Sequence, residues 1–197
     1  MATSRRCFAS GFVVALLALL ALPAAAGAAG ASETLNRSDL VTAAEVARSS
    51  TRTGWQRIPW EGVFDCGTLS AVRQGAIDSA RVAHGGGDAR AVELAVEHTD
   101  GDAARAAFQL AVQRVRTCTA GADVERVTYD MPVASPGSVR MIRLVTRYRC
   151  CGSNTHSFGL VRRGTRVAVV AAGELGETIP VTPVRRLLRR AAERLVG

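Results

Sequence analysis

The sequence predicts a disulfide-stapled α+β domain, in which an antiparallel sheet of about five to six strands carries its helices on one face. Three observations predict it: strand-like stretches are joined by short turns, longer segments repeat apolar residues at helical spacing, and four cysteines follow a secretory signal. Strands joined by short turns pair antiparallel, and about three helices can cover only one face of such a sheet. We therefore expect an open second face that holds any binding site.

Residues 1–31 are predicted to be a secretory signal peptide. Arg5 and Arg6 precede an apolar stretch, and small residues suited to cleavage follow it. The apolar stretch, residues 11–22, is shorter than the roughly 20 residues that span a membrane. A twin-arginine export signal, which the residues around the arginine pair match in part, is the alternative route. We expect residues 32–197 to form one domain, a monomer that is secreted or held in the cell-envelope space.

The mature chain opens with a short predicted helix and a loop that carries two tryptophans. Ser38 and Asp39 begin the helix. The residues on its buried side are Leu40, Ala44 and Val46. Trp55 and Trp60 follow on either side of Pro59. Each tryptophan either fills an edge of the core or offers its ring to a ligand.

A glycine turn is predicted to join the next two strands into a hairpin. The strands are residues 76–84 and 90–97, and the turn is Gly85-Gly86-Gly87-Asp88. In the second strand, apolar and acidic side chains alternate: Val92, Leu94 and Val96 against Glu93 and Glu97. This alternation is typical of a sheet with one buried and one solvated face.

An amphipathic helix is predicted to follow the hairpin. Asp100 or Asp102 can cap its start. Its apolar residues recur at helical spacing and are Ala104, Ala107, Phe108, Ala111, Val115 and Cys118. Its outward residues are Arg105, Gln109, Gln113 and Arg116. Cys118 is therefore expected on the buried side of the helix.

Four more strands and a closing helix complete the predicted fold. The strands are residues 123–133, 138–149, 156–162 and 166–172, with a tight turn at Arg163-Gly164. The helix starts at Thr182-Pro183, and its apolar side consists of Val184, Leu187, Leu188, Ala191 and Leu195. One face of the second of these strands carries three arginines: Arg143, Arg147 and Arg149. Their planar donors suit a carboxylate or a phosphate.

Positive charge is concentrated in the last third of the chain. Residues 138–197 contain 12 arginines and 3 acidic residues, and the whole chain contains no lysine. Outside the cell, such a surface would meet anionic envelope polymers, lipid headgroups or an acidic partner, and we expect no nucleic-acid partner. The alternative is that the arginines form a solvated face that balances the acidic remainder of the chain.

The cysteine count predicts two disulfide bridges. Of five cysteines, Cys7 leaves with the signal peptide, so an even number remains in an oxidising compartment. The preferred pairing is Cys66 with Cys118 and Cys150 with Cys151, the second pair closing a strand end before a turn at residues 152–154. The competing pairing joins Cys150 and Cys151 separately to the other two cysteines.

No catalytic, metal or cofactor motif is recognised. The two histidines of the hairpin, His84 and His98, would lie roughly 25 to 30 Å apart at its opposite ends, which excludes a metal site that uses both. There is no Cys-x-x-Cys spacing and no Gly-x-Ser-x-Gly turn. A nucleophile made of Cys151 and His156 requires a thiol that escapes oxidation. We therefore predict no enzyme activity, no metal and no cofactor.

The order of features along the chain resembles a known family. The sequence has a Thr53-Gly54-Trp55 segment, a cysteine a few residues later, the helix DAARAAFQLAVQRVRTC, the stretch SFGLVRRGTRVAVV (residues 157–170) and a last amphipathic helix. This order resembles secreted actinobacterial sensor-domain proteins of the PknH-like family, which includes the extracellular domain of a mycobacterial serine/threonine kinase. The resemblance implies an α+β domain with a sheet-lined cleft, disulfides and a bound ligand, without catalysis.

These observations predict a secreted, non-enzymatic sensor-type domain that binds a small molecule or an anionic envelope component. The expected ligand-binding residues are Trp55, Trp60, Arg143, Arg147 and Arg149. The first alternative is a basic module that binds a membrane surface or an envelope polymer through the arginines of the closing helix. Those arginines are Arg185, Arg186, Arg189, Arg190 and Arg194. The second alternative is a secreted hydrolase of unrecognised type.

Overall fold

The computed structural model describes residues 34–50, 53–60, 66–118, 124–132, 137–148, 152–175 and 181–195. All of them belong to one unit, Glu33–Gly197. The predicted signal peptide lies outside the described residues, as do Arg149, Cys150 and Cys151. None of the helices in the described ranges has the length and apolar character needed to cross a bilayer.

The described strands form one open antiparallel sheet. In chain order they are β1 (Gln56–Arg57), β2 (Ala76–Gly86), β3 (Ala89–His98), β4 (Val124–Pro132), β5 (Ser138–Tyr148), β6 (Gly152–Arg163) and β7 (Arg166–Leu175). Their spatial order is β1-β2-β3-β7-β6-β5-β4. The predicted α+β class is confirmed, with six longer strands and a two-residue edge strand. The sequence predicted all six of the longer strands.

Four α-helices accompany the sheet in the described part of the chain. They are α1 (Ala43–Arg48), α2 (Thr68–Arg73), α3 (Gly101–Thr117) and α4 (Val181–Arg194), and a single 3-10 turn, Arg37–Asp39, precedes α1. Helix α1 begins later than predicted, because Thr42 caps it by accepting a hydrogen bond from the Glu45 backbone N–H. Helix α2 was not predicted, since six residues are too few to establish a helical period.

The helices cover both faces of the sheet, so the prediction that they cover one face is wrong. Helices α1 and α4 pack on one face, over a cluster that includes Ala91, Ala95 and Val170. Helices α2 and α3 pack on the other face, over a cluster that includes Leu94 and Phe158. The central strands therefore carry small and large apolar residues on both sides, as strands buried on both faces do.

Between β2 and β3, the hairpin is tighter than predicted. Its turn is only Gly87 and Asp88, because Gly85 and Gly86 already pair with β3. His84 lies opposite Ala91 near this turn, and His98 lies opposite Ala76 at the far end. The predicted separation of the two histidines is thus confirmed.

The connection between β5 and β6 is also shorter than predicted. Gly152 lies opposite Tyr148, and Asn154 lies opposite Thr146. The predicted turn at residues 152–154 is wrong, because these residues already belong to β6. The predicted Cys150–Cys151 bridge falls in the connection itself and stays a prediction.

A disulfide joins Cys66, just before α2, to Cys118 at the end of α3. The two Cα atoms are 5.5 Å apart, and 52 residues separate the cysteines in sequence. The preferred pairing of these two cysteines is confirmed, and the competing pairing is wrong. Cys118 lies beside the buried stripe of α3 as its spacing predicted, and Asp100 caps the other end of that helix.

Gly159 of β6 lies directly beneath Leu188 of α4, and the close approach requires a glycine. A Cβ atom at this position would overlap the fully buried Leu188 side chain. We expect Gly159→Ala to lower the free energy of unfolding by about 2 kcal/mol, because α4 must move off the sheet. Urea denaturation measures this change. In a Leu188→Ala background the same substitution should cost less, and an equal cost in both backgrounds would contradict the packing described.

Candidate functional site

The two tryptophans predicted to bind a ligand lie in different surroundings. Trp55 packs against the cluster under α4, and its ring covers Gly86 at the end of β2. Trp60 packs instead against the cluster under α2 and α3. The structure therefore does not bring them together as one platform, and each ring is half-buried at an edge of the core.

The arginines predicted to bind a ligand do not form an open face in the described residues. Arg143 is only 7% exposed, and strand alternation places it on the same side as Met141, which belongs to the cluster under α4. The expectation that this side is open is wrong at Arg143, because its side chain is buried. The side chain of Arg147 and all of Arg149 lie outside the description, so their part in binding stays a prediction.

The closing helix uses its apolar side for the core. Leu187, Leu188 and Leu195 are buried in the cluster on this face of the sheet. A membrane-surface helix must bury its apolar side in lipid. Helix α4 would have to leave the sheet to insert into lipid, so the membrane-surface alternative stays a prediction that requires such a rearrangement. Its outward arginines, Arg186 and Arg189 among them, remain exposed.

A cavity of about 670 Å³ lies at the outer edge of β2 and contains one of the predicted residues, Trp60. Strand β1 pairs with β2 only at His84 and Gly85. No other described strand pairs with the outer edge of residues 76–82, and the cavity forms beside this stretch. Its walls come from α2, from β2 and from the segment that precedes the 3-10 turn.

Three arginines on three different segments line this edge cavity: Arg37, Arg73 and Arg81. The Arg81 guanidinium lies over the Trp60 ring, 5.4 Å from its centroid, an arrangement in which the ring attracts the cation. Asn36, Ser70 and Ser79 add neutral polar groups. No carboxylate is found among the described residues that line the cavity. The lining is therefore positively charged and suited to an anion.

Local structure fixes each wall of the edge cavity. The Leu35 backbone N–H donates to the Asp78 carboxylate at 2.9 Å, which ties the N-terminal segment to β2. Gly67 adopts the left-handed conformation, with φ of 75°, and so turns the chain from the disulfide into α2. Because Cys66 immediately precedes this turn, the disulfide anchors the α2 wall to α3.

The predicted solvated face of β3 is buried beneath α1 and α4, and it holds a buried carboxyl group. Glu93 is only 1% exposed, and it accepts a hydrogen bond from the Val41 backbone N–H at 2.5 Å. Burial raises the pKa of Glu93 to about 7, although this hydrogen bond and the charge of Arg194 oppose the shift. The prediction of a solvated carboxylate is therefore wrong.

Further polar contacts hold the backbone of residues 38–41 over Glu93. His84 Nε2 lies 3.0 Å from the Val41 carbonyl oxygen. Arg194 donates to the carbonyl oxygens of Ser38 and Leu40 and pairs with Glu45 at 2.7 Å. These polar contacts therefore tie the N-terminal segment to both β3 and α4. In the described ranges, no three His, Cys, Asp or Glu side chains gather in a way that could hold a metal ion.

Sequence reasoning missed the arginines of the edge cavity. Arg81 and Ser79 alternate with buried residues on β2, so their outward side was readable from the strand pattern. Arg73 was not readable, since it depends on the unpredicted α2. Arg37 joins the site only through the path of the N-terminal segment, which no local pattern reports.

Comparison with known proteins shows that this chain is similar in fold to solved structures. No protein-family model matches the sequence, and no curated protein matches it. Among solved structures, the extracellular domain of PknH from Mycobacterium tuberculosis is similar, with a TM-score of 0.58 and 12% sequence identity, over 82% of this chain and 98% of that chain.

A second solved structure is more distant. It is a putative uncharacterized protein from Mycobacterium smegmatis, the Rv0999 ortholog, with a TM-score of 0.41 and 12% identity, over 78% of this chain and 96% of that chain. At 12% sequence identity the similarity establishes the fold alone. The resemblance predicted from the sequence is confirmed at that level: this chain has the fold of the PknH-like extracellular sensor domain.

Proposed function

We propose that this protein is a secreted sensor-type domain that binds a small anionic molecule in the edge cavity. The observation that carries the proposal is the convergence of Arg37, Arg73 and Arg81 from three segments on one cavity beside Trp60. The fold of an extracellular domain and the Cys66–Cys118 disulfide support a location outside the cytoplasm.

The chemistry of the edge cavity favours binding a carboxylate or a phosphate. A guanidinium presents planar paired donors that match the two oxygens of such a group. The Arg81–Trp60 contact holds one of these donors in place before a ligand arrives, and a donor fixed in advance loses less conformational entropy on binding. The size of the cavity, about 670 Å³, is that of a site for a small molecule.

The proposal is one of binding and not of catalysis. The guanidinium groups of the edge cavity can hold and orient an anion through charge and paired hydrogen bonds. Among the described lining residues there is no cysteine, histidine or carboxylate to act as nucleophile or base. A signal peptide at residues 1–31 remains part of the proposal.

Fluorescence of Trp60 tests the edge cavity directly. The chain has two tryptophans, so a Trp55→Phe variant leaves Trp60 as the sole reporter. We expect citrate or glucose 6-phosphate to change its emission. We also expect Arg73→Gln in the same background to raise the Kd by about tenfold, because one charged contact is lost.

The matched control for this experiment is Arg57→Gln. Arg57 is an exposed arginine of β1 that does not line the cavity. A Kd that rises equally in both variants would show that net charge alone attracts the anion. The absence of any emission change with either anion at low ionic strength would also overturn the proposal.

A further inference from the structure

A second basic cavity lies between α3 and the strands β5 and β6. Its volume is about 550 Å³. One wall is the outward row of α3: Arg105, Gln109, Gln113 and Arg116. The sequence predicted these four residues to point outward, and the structure places them opposite two strand arginines.

The opposite wall of this groove comes from the ends of two paired strands. Arg140 on β5 and Arg162 on β6 both line it. The register pairs Ser138 with Arg162 and Arg140 with Leu160, so the two arginines lie diagonally on the same face. Arg162 donates to the Ser138 hydroxyl at 3.2 Å, which fixes its direction along the strand ends.

The α3 groove contains four arginines and, among its described lining residues, no carboxylate. Arg105 does pair with Asp102 at 3.0 Å, but both side chains are more than half exposed, and an exposed pair of this kind is weak and easily replaced. Gln109 and Gln113 can donate further hydrogen bonds between the arginines. The described lining of the groove is therefore rich in guanidinium and amide donors.

The arginines are spread along the groove and not gathered at one point. Arg105 and Arg116 are eleven residues apart on α3, which corresponds to about 16 Å along the helix axis. A single phosphate or carboxylate cannot reach both ends. A chain that carries several negative groups can contact Arg105 and Arg116 together with the strand arginines.

We propose that the α3 groove is a second binding site, which takes an extended chain of phosphate groups such as a polyphosphate or a phosphodiester polymer. It is distinct from the edge cavity, since no residue lines both. Several guanidinium groups in a row bind successive phosphates at once, and each contact raises the effective concentration of the next.

Chain length provides the first test. Isothermal titration calorimetry with tripolyphosphate, a longer polyphosphate and orthophosphate should give a Kd that falls as the chain lengthens, with orthophosphate at least about tenfold weaker than the longer chain. The same titration at higher salt should weaken binding, because partly exposed charges are screened. Equal affinity for orthophosphate and the longer chain would overturn the proposal.

Charge-matched variants locate the site. We expect Arg140→Gln/Arg162→Gln to raise the Kd for the longer polyphosphate at least about tenfold. The control, Arg186→Gln/Arg189→Gln, removes the same charge from the exposed side of α4 and should change the Kd less than about twofold. Equal weakening by the two variants would overturn the proposal. If the first variant fails to fold, Arg105→Gln/Arg116→Gln on the exposed row of α3 makes the same test.

Two further readouts separate the possible sources of the phosphates and the two binding sites. Flotation with phosphatidylglycerol vesicles reports whether lipid headgroups in a membrane surface can supply the row of charges. Vesicle binding that the Arg140→Gln/Arg162→Gln variant abolishes would assign the headgroups as the source, and polyphosphate binding without vesicle binding would assign a soluble or polymeric chain. Arg73→Gln weakens only the edge cavity and should leave the dependence of the Kd on chain length intact, so failure at one site is distinguishable from failure at the other.

Discussion

Replacing both Cys66 and Cys118 by alanine is expected to lower the free energy of unfolding by about 4 kcal/mol. The bridge closes a loop of 52 residues, and a loop of this length restricts the unfolded chain by about that amount in the chain-entropy model. The loss should exceed that of any other substitution discussed, because the bridge also ties α2 to α3.

Urea denaturation of the oxidised protein and of the double variant measures this loss. A difference below about 1 kcal/mol would contradict the loop-closure account. The bridge also anchors the α2 wall of the edge cavity, since Cys66 and Gly67 lead directly into α2. The double variant should therefore bind citrate more weakly even under conditions where it stays folded, while its affinity for polyphosphate in the α3 groove should change less.

Glu93→Gln is expected to raise the free energy of unfolding at pH 8 and to change its dependence on pH. In the folded protein the pKa of Glu93 is about 7, raised from 4.5 by burial. Below pH 4.5 the carboxyl group is protonated in both the folded and the unfolded chain. Between pH 4.5 and 7 the unfolded chain loses this proton first, so the wild-type protein becomes less stable as the pH rises.

The size of this effect follows from the shift in pKa. A rise from 4.5 to about 7 corresponds to about 3 kcal/mol of stability, which is lost across that interval and stays lost above it. A glutamine cannot ionise, but its carbonyl oxygen can still accept the Val41 N–H. We therefore expect the variant to gain up to about 3 kcal/mol over the wild type at pH 8, and little at pH 4.

Denaturation at several pH values measures the difference between the variant and the wild type. The groups that face Glu93 are His84 of β2, Glu45 of α1 and Arg194 of α4. All three are present in both proteins, so their contributions largely cancel in the difference. Glu193→Gln, on the exposed side of α4, is the control and should give no gain in stability at pH 8, because it removes a surface carboxylate that pairs with Arg190. A Glu93→Gln difference that stays constant from pH 4 to pH 8 would contradict a buried carboxyl group.

Local patterns in the sequence were sufficient to predict the longer helices and strands, in which the apolar period repeats several times. Helix α3 has its cap at Asp100 and buries Ala104, Ala111 and Val115 as its spacing predicted. All six longer strands were predicted, although β6 begins four residues earlier than its turn residues indicated. The sequence also favoured the Cys66–Cys118 disulfide, which ties the loop after Trp60 to the buried end of α3, although a competing pairing stayed open until the structure was known.

The candidate sites were only partly readable, since they depend on which segments meet. The outward row of α3 was predicted, but nothing local indicated that Arg140 and Arg162 lie across from it. Trp60 lies at the edge of the core, as one of the two alternatives for this residue predicted, and its role in binding stays a prediction. Arg81, the cation over its ring, was not selected. Arg143 was selected because its strand alternates, and alternation alone cannot tell which face another helix will cover.

The sequence by itself determined the α+β class, the longer strands, the long helices and the excess of arginine in the last third, and it favoured the Cys66–Cys118 bridge that the structure contains. Only the tertiary structure decided that helices cover both faces, that Glu93 is buried, and that arginines from distant segments converge on two cavities. The physical reason is the distance along the chain over which each kind of interaction acts. Periodicity reports the side of an element that a residue occupies, whereas burial and charge convergence depend on long-range packing that no single element encodes.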